Sequence, residues 1–68
     1  MFAINENRLS YIADLSPAGK SVYALLDYFR GPGLSLPSNS KIAREGHMGK
    51  ASVKKGLAEL INVGILTP

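Results

Sequence analysis

The chain has 68 residues, the size of one small domain, and a domain of this size buries only about 60% of its unfolded surface. It has no cysteine, which excludes disulfides and thiolate metal sites, whereas its 46% of hydrophobic residues is enough for a core and argues against wholesale disorder. Residues 1–30 carry three basic and three acidic residues, whereas residues 31–68 carry five basic and two acidic residues. The net charge of +3 therefore lies wholly in the second half of the chain. There it would attract polyanions, or it would simply keep the domain soluble.

The N-terminal segment, residues 1–14, supports two interpretations. Leu9, Ile12 and Leu15 are spaced three apart, which predicts a short helix over about residues 5–14. Phe2 and Ile4 instead favour an extended arm. We therefore treat residues 1–14 as an arm or short helix that precedes a domain of residues 15–68.

The first clear helix is predicted over residues 17–30. Ser16 is a good N-cap, and Pro17 suits the first helical position, where a backbone N–H is not needed. Two glycines around Pro32 end the helix. Its predicted buried stripe, at helical spacing, consists of Val22, Leu25, Leu26 and Phe29.

A second, shorter helix is predicted after Pro37. The alternation at residues 34–36 indicates a very short extended piece, because the residue before a proline favours that conformation. Ser38 then caps the helix, and Ile42 and Ala43 face inward. Residues 46–49 form a tight turn, with Met48 as its apolar plug.

The third helix is predicted over about residues 50–62. Gly64 occupies the position that glycine prefers after a helix C-terminus, and residues 65–67 predict the start of a strand. The inward-facing residues of this helix are expected to be Val53, Leu57, Leu60 and Ile61.

This order of elements resembles the winged helix-turn-helix domain, as found in bacterial, plasmid and phage replication initiators and transcription regulators. In that family the segment matching residues 38–46 is the positioning helix, the segment matching residues 49–62 is the recognition helix, and the following strand leads into a β-hairpin, the wing. The resemblance covers about residues 15–66 and is carried by Leu15-Ser16-Pro17, Tyr23, Leu26, Leu36-Pro37-Ser38, Ile42-Ala43, Val53, Leu57, Leu60 and Gly64-Ile65-Leu66.

The sequence departs from the family pattern at the turn and at the wing. Gly46 stands where the family usually has an apolar residue, His47 where it has glycine, and Gly49 where it has a serine or threonine cap. Histidine tolerates positive φ and glycine is an acceptable cap, so the turn can form. Only the first wing strand fits before Pro68. The expected fold is therefore mainly α, a winged helix-turn-helix-like three-helix core with short β-strands, in which the wing is incomplete or absent.

The resemblance implies sequence-specific binding of double-stranded DNA, with the recognition helix in the major groove, in transcription regulation or replication initiation. Lys50 and Lys54 lie four apart on one face of that helix, with Ala51 and Lys55 in the adjacent row. Specific sites are commonly read by dimers, which makes a homodimer a candidate partner. The candidate DNA-binding residues are Ser38, Ser40, Lys41, Arg44, His47, Gly49, Lys50, Ala51, Ser52, Lys54 and Lys55.

Most of these residues also have a purely structural interpretation. Lysines on the outer face of a helix are commonly just solvated. Ser38 and Ser40 suit helix capping as well as phosphate binding, and both roles are compatible. Arg44 is equally suited to pairing with a nearby acid. For His47 a role in the backbone of the turn is favoured over a phosphate contact.

The competing function is a protein–protein interaction module on the same scaffold, because a fold does not fix a function. Its contact surface would be formed by Phe2, Ile4, Leu9 and Ile12. An enzyme is not expected, since we find no nucleophile–base pair, phosphate loop or metal-ligand cluster, and we infer no cofactor or small-molecule substrate. No apolar run approaches the ~20 residues that cross a bilayer and no signal peptide is evident, so we expect a cytoplasmic protein without membrane partners.

Overall fold

The computed structural model describes residues 3–30 and 36–67. The described chain is mainly helical, with a small antiparallel sheet of two strands. None of its helices is both long and apolar enough to cross a membrane. The elements in chain order are β1 (Ala3–Ile4), the 3₁₀ helix η1 (Glu6–Asp14), α1 (Pro17–Tyr28), α2 (Asn39–Glu45), α3 (Lys50–Asn62) and β2 (Leu66–Thr67).

The N-terminal segment contains both of the structures that its sequence suggested. Ala3 and Ile4 are extended, and the helix that follows is a 3₁₀ helix. A 3₁₀ helix has three residues per turn, so side chains at positions i and i+3 lie above one another. This explains the spacing of Leu9, Ile12 and Leu15, which all contact the hydrophobic core.

The predicted start of α1 is confirmed in detail. Ser16 is the N-cap and its hydroxyl accepts the Gly19 N–H, while Pro17 takes the first helical position. The helix ends at Tyr28, two residues before the predicted end, because Phe29 already has non-helical backbone angles. The predicted Gly-Pro-Gly stop and most of the predicted extended piece, residues 31–35, lie outside the described residues.

The contact between α1 and α3 sets the rotation of α3. Gly56 is buried against α1, where a β-carbon would lie 2.5 Å from Val22 Cγ2 and 2.8 Å from the Ala18 carbonyl oxygen. This close approach turns Val53, Gly56 and Leu60 inward. The prediction that Ile61 faces inward is wrong, because 43% of that residue is exposed.

The core is shared by all three α-helices and the C-terminal strand. Of the predicted α1 stripe, Val22 and Leu26 are buried, whereas Leu25 and Phe29 are half-buried. Leu57 is likewise half-buried and packs against the core. The buried hydrophobic residues are Leu15, Val22, Leu26, Ile42, Val53, Leu60, Ile65 and Leu66.

The two chain ends meet in the sheet. Gly64 has a φ of +84°, as predicted for the residue after a helix C-cap, and it directs the chain from α3 into β2. β2 confirms the predicted strand, and its partner is β1, with Ala3 opposite Thr67 and Ile4 opposite Leu66. The N-terminal strand therefore covers one edge of the strand that follows α3.

Candidate nucleic-acid interface

The turn between α2 and α3 contains a residue with positive φ, which is the histidine that the sequence places where the family usually has glycine. His47 has a φ of 52°, and its N–H donates to the Arg44 carbonyl at 3.4 Å. The next N–H, that of Met48, donates to the Ala43 carbonyl at 3.0 Å. This pair of bonds is the Schellman ending of a helix, with His47 in the left-handed position that glycine usually occupies. Met48 packs against the core, as predicted for the apolar plug.

Gly46 also has a packing reason in this chain. A β-carbon at position 46 would lie 2.5 Å from Leu25 Cδ1 and 3.0 Å from the Ile42 carbonyl oxygen. The space that a side chain at this position would occupy is therefore filled by Leu25 from α1. The turn is thus anchored to the core by Leu25 on one side and Met48 on the other.

The start of α3 exposes backbone donors. Gly49 is the N-cap and has no side chain to accept a hydrogen bond from the first turn of the helix. The first N–H groups of a helix lack intrahelical acceptors, and the helix dipole makes this end attractive to anions. Gly49, Ala51 and Ser52, all predicted DNA-binding residues, are exposed here.

The three lysines of α3 are also exposed, and none of them forms a salt bridge within the described residues. Lys50, Lys54 and Lys55 all belong to the outer side of the helix. In residues 3–30 and 36–67 the one ion pair joins Arg30 to Asp27, far from α3 in sequence. These ammonium groups are therefore available to an external anion.

Two of the lysines lie beside α2. Lys50 and Lys54 line a cleft of about 250 Å³ together with Ser40 and Asn39 from the first turn of α2, and Val53 forms part of its wall. The structure thus brings together three predicted site residues, Ser40, Lys50 and Lys54, from two helices. Asn39 was not among the predicted site residues, although its side-chain amide can both donate and accept hydrogen bonds.

Lys55 lies toward the opposite flank of α3. There the Glu59 carboxylate accepts hydrogen bonds from the Ser16 hydroxyl and backbone N–H, and these bonds hold its pKa below the ordinary value. Burial opposes this effect, and the charge of Lys55 adds a smaller lowering of the same pKa. The lysines of α3 therefore span the helix surface from the α2 side to the α1 side.

The remaining predicted residues on α2 divide between structural and exposed positions. The Ser38 hydroxyl accepts the Lys41 N–H at 3.2 Å, which confirms its capping role. The Lys41 ammonium lies 4.8 Å from the centroid of the Phe29 ring, a cation–π contact that draws it toward α1. Arg44 is exposed in the last turn of α2, and the described residues offer it no acidic partner. His47 is exposed in the turn.

Most of the residues suggested as a protein–protein contact surface pack against the hydrophobic core instead. Ile4, Leu9 and Ile12 are half-buried and pack against the core. Phe2, the fourth residue of that surface, lies outside the described residues. The exposed apolar residue that sequence reasoning missed is Ile61, which its helical spacing had assigned to the core.

Comparison of the chain with family models, with curated proteins and with solved structures finds no match.

Proposed function

We propose that this protein binds double-stranded DNA through α3, in a helix-turn-helix arrangement of α2 and α3 of the winged-helix type. The observation that carries the proposal is the set of exposed, unpaired lysines on α3, placed beside the uncapped start of the same helix. Lysine ammonium groups and helix N-termini both bind phosphate oxygens.

The support comes from two linked observations. The first is local: an α-helix of 13 residues follows a tight turn, and its outer face carries Lys50, Lys54 and Lys55. A recognition helix reads bases mainly with its N-terminal residues, and here those are Lys50, Ala51 and Ser52. The second is the distribution of charge, since the net charge of +3 falls in the half of the chain that contains α2 and α3.

Most of the predicted residues have a role in this arrangement. Lys54 and Lys55 would contact phosphates, and Lys50 and Ser52 would reach base edges or phosphates at the front of the helix. Ser40 and Arg44 would bind the backbone beside the groove from α2. Ser38 and His47 would act chiefly by shaping the helix start and the turn, as their hydrogen bonds and backbone angles indicate.

The biological setting, transcription regulation or replication initiation, follows only from the resemblance of the sequence to winged-helix regulators and initiators. A homodimer on two half-sites belongs to the same proposal. The protein-interaction alternative receives less support, because Ile4, Leu9 and Ile12 pack against the core.

The test is fluorescence anisotropy with a labelled random-sequence duplex at low and at moderate salt. Phosphate contacts release condensed counterions, so affinity should fall steeply with salt, by about one unit of logarithmic slope for each contact. Absence of binding at low salt would refute the proposal.

A further inference from the structure

A cavity lies on the flank of α3, between that helix and the segment that leads into α2. Its volume is about 430 Å³, within the range of small-molecule sites. Its apolar wall includes Leu36, Leu57, Ala58 and Ile61, and its polar groups are Asn39 and Lys54. We call it the Ile61 pocket.

The wall of this pocket contains hydrophobic surface that the fold does not use. Ile61 is 43% exposed, and Leu57 is half-buried, although both residues occupy the middle and end of a helix whose other large apolar residues are in the core. Covering such a surface with an apolar group is favourable in proportion to the area removed from water. The pocket therefore suits a ligand with an apolar body.

The polar groups of the pocket favour a ligand that carries a negative charge. Lys54 lines the pocket, is exposed, and has no acidic partner within residues 3–30 and 36–67. Asn39 adds an amide that can donate a second hydrogen bond. An apolar wall beside a lysine and an amide is complementary to a molecule with a carboxylate at one end.

We propose that the Ile61 pocket binds a small aromatic carboxylate, whose ring lies against Leu57, Ala58 and Ile61 and whose carboxylate is bound by Lys54 and Asn39. These two polar residues also line the cleft that contains Ser40 and Lys50. The ligand's carboxylate would therefore occupy the position of a DNA phosphate at Lys54. This regulatory consequence rests on the proposed DNA binding, whereas the ligand site itself does not.

The test uses 2-naphthoate as the probe, with the ¹⁵N-labelled protein and no DNA present. Saturable shifts of the backbone amides of Leu57, Ala58 and Ile61 are expected. Loss of the charge-assisted contact in Lys54→Met should weaken binding about tenfold, from a contribution of roughly 1.5 kcal/mol. The neutral analogue 2-naphthalenemethanol should bind wild type and Lys54→Met alike.

Two further variants make the result decisive. Lys55→Met removes the same charge from the neighbouring residue, which does not line the pocket, and should change naphthoate affinity less than twofold. Ala58→Phe fills the pocket from an exposed position and should abolish binding of both probes. Three results would overturn the proposal: equal weakening by Lys54→Met and Lys55→Met, shifts scattered over the surface, or the same shifts of Leu57, Ala58 and Ile61 on concentrating the protein without probe.

A second titration, with duplex DNA, separates this site from the proposed function. If naphthoate binds the pocket and DNA does not bind at all, the ligand site stands and the DNA proposal fails. If DNA binds and naphthoate gives no localised shifts, the reverse holds. If both bind, 2-naphthoate should raise the apparent dissociation constant for DNA in wild type, and this competition should disappear in Ala58→Phe.

Discussion

Glu59 of α3 accepts two hydrogen bonds from Ser16, one from the backbone N–H at 2.7 Å and one from the side-chain hydroxyl. Ser16 is at the same time the N-cap of α1, where its hydroxyl accepts the Gly19 N–H at 3.5 Å. A single carboxylate therefore ties the helix that carries the exposed lysines to the start of the helix on which it packs. Its negative charge also lies at the positive end of the α1 dipole.

This contact predicts an acid-sensitive part of the stability. The pKa of Glu59 is lowered in the folded protein, first by the Ser16 hydroxyl and then by the Ser16 N–H. Its stabilising contribution is therefore complete above the pKa of an unfolded glutamate, about 4.3, and is lost as the pH falls through the lower folded value. The free energy of unfolding, measured with urea between pH 7 and pH 3, should decrease less in Glu59→Gln than in wild type. An identical decrease in both proteins would show that ionisation of Glu59 does not stabilise the fold.

The glycine at the α1–α3 contact is expected to be intolerant of a side chain. Gly56→Ala would place a β-carbon 2.5 Å from Val22 Cγ2 and 2.8 Å from the Ala18 carbonyl oxygen, and the backbone atom cannot move without shifting α1. We expect a loss of about 1–3 kcal/mol in the free energy of unfolding, despite the better helix propensity of alanine. In a double-mutant cycle, Val22→Ala should relieve part of the strain. An increase in stability in the Gly56→Ala single variant would contradict the close packing.

The turn makes the opposite prediction at His47. A φ of 52° is unfavourable for a residue with a β-carbon, so His47→Gly should raise the free energy of unfolding by up to about 1 kcal/mol, offset in part by the greater freedom of glycine in the unfolded chain. Gly64, with a φ of +84°, is the matched control, because Gly64→Ala should destabilise by a similar amount. Thermal unfolding of both variants tests the two signs together. Destabilisation by His47→Gly would mean that the imidazole makes a contact that outweighs the backbone strain.

The start of α3 offers a fourth stability prediction. A β-carbon at position 49 would meet nothing within 4 Å, and the backbone there already has the extended angles of an N-cap. Gly49→Ser should therefore add a capping hydrogen bond and stabilise the protein by a few tenths of a kcal/mol. The new hydroxyl would accept a hydrogen bond from an N–H group of the first turn of α3. The same variant therefore also tests whether DNA binds these N–H groups.

Features that depend on neighbouring residues in the chain were predicted correctly from the sequence, whereas features that depend on tertiary packing were not. Ser16, Pro17 and Gly64 were assigned correctly because caps depend on a few neighbouring residues. Ile61 was assigned wrongly because the rotation of α3 depends on its close approach to α1 at Gly56. The sequence also could not predict which strand pairs with β2, because the pairing of strands at opposite ends of the chain leaves no local sequence pattern.

The same division applies to the candidate site. The outward direction of Lys50, Lys54 and Lys55 follows from helical periodicity, and all three are exposed. The position of the Lys41 ammonium over Phe29 depends on where the end of α1 lies relative to α2, which no spacing encodes. The position of Asn39 in the cleft likewise depends on how α2 packs beside α3, which is a tertiary relationship.

The most direct test of DNA binding through α3 is the salt dependence of duplex binding for two variants of equal charge, Lys54→Glu on α3 and Lys20→Glu on α1. Both lysines are exposed, so each variant lowers the net charge by the same amount at a site where folding should be retained. We predict that Lys54→Glu weakens binding by at least about tenfold and lowers the logarithmic salt slope by about one unit, and that Lys20→Glu leaves the slope unchanged. Equal weakening by the two variants would contradict the account, because it would show that DNA responds only to the total charge of the molecule.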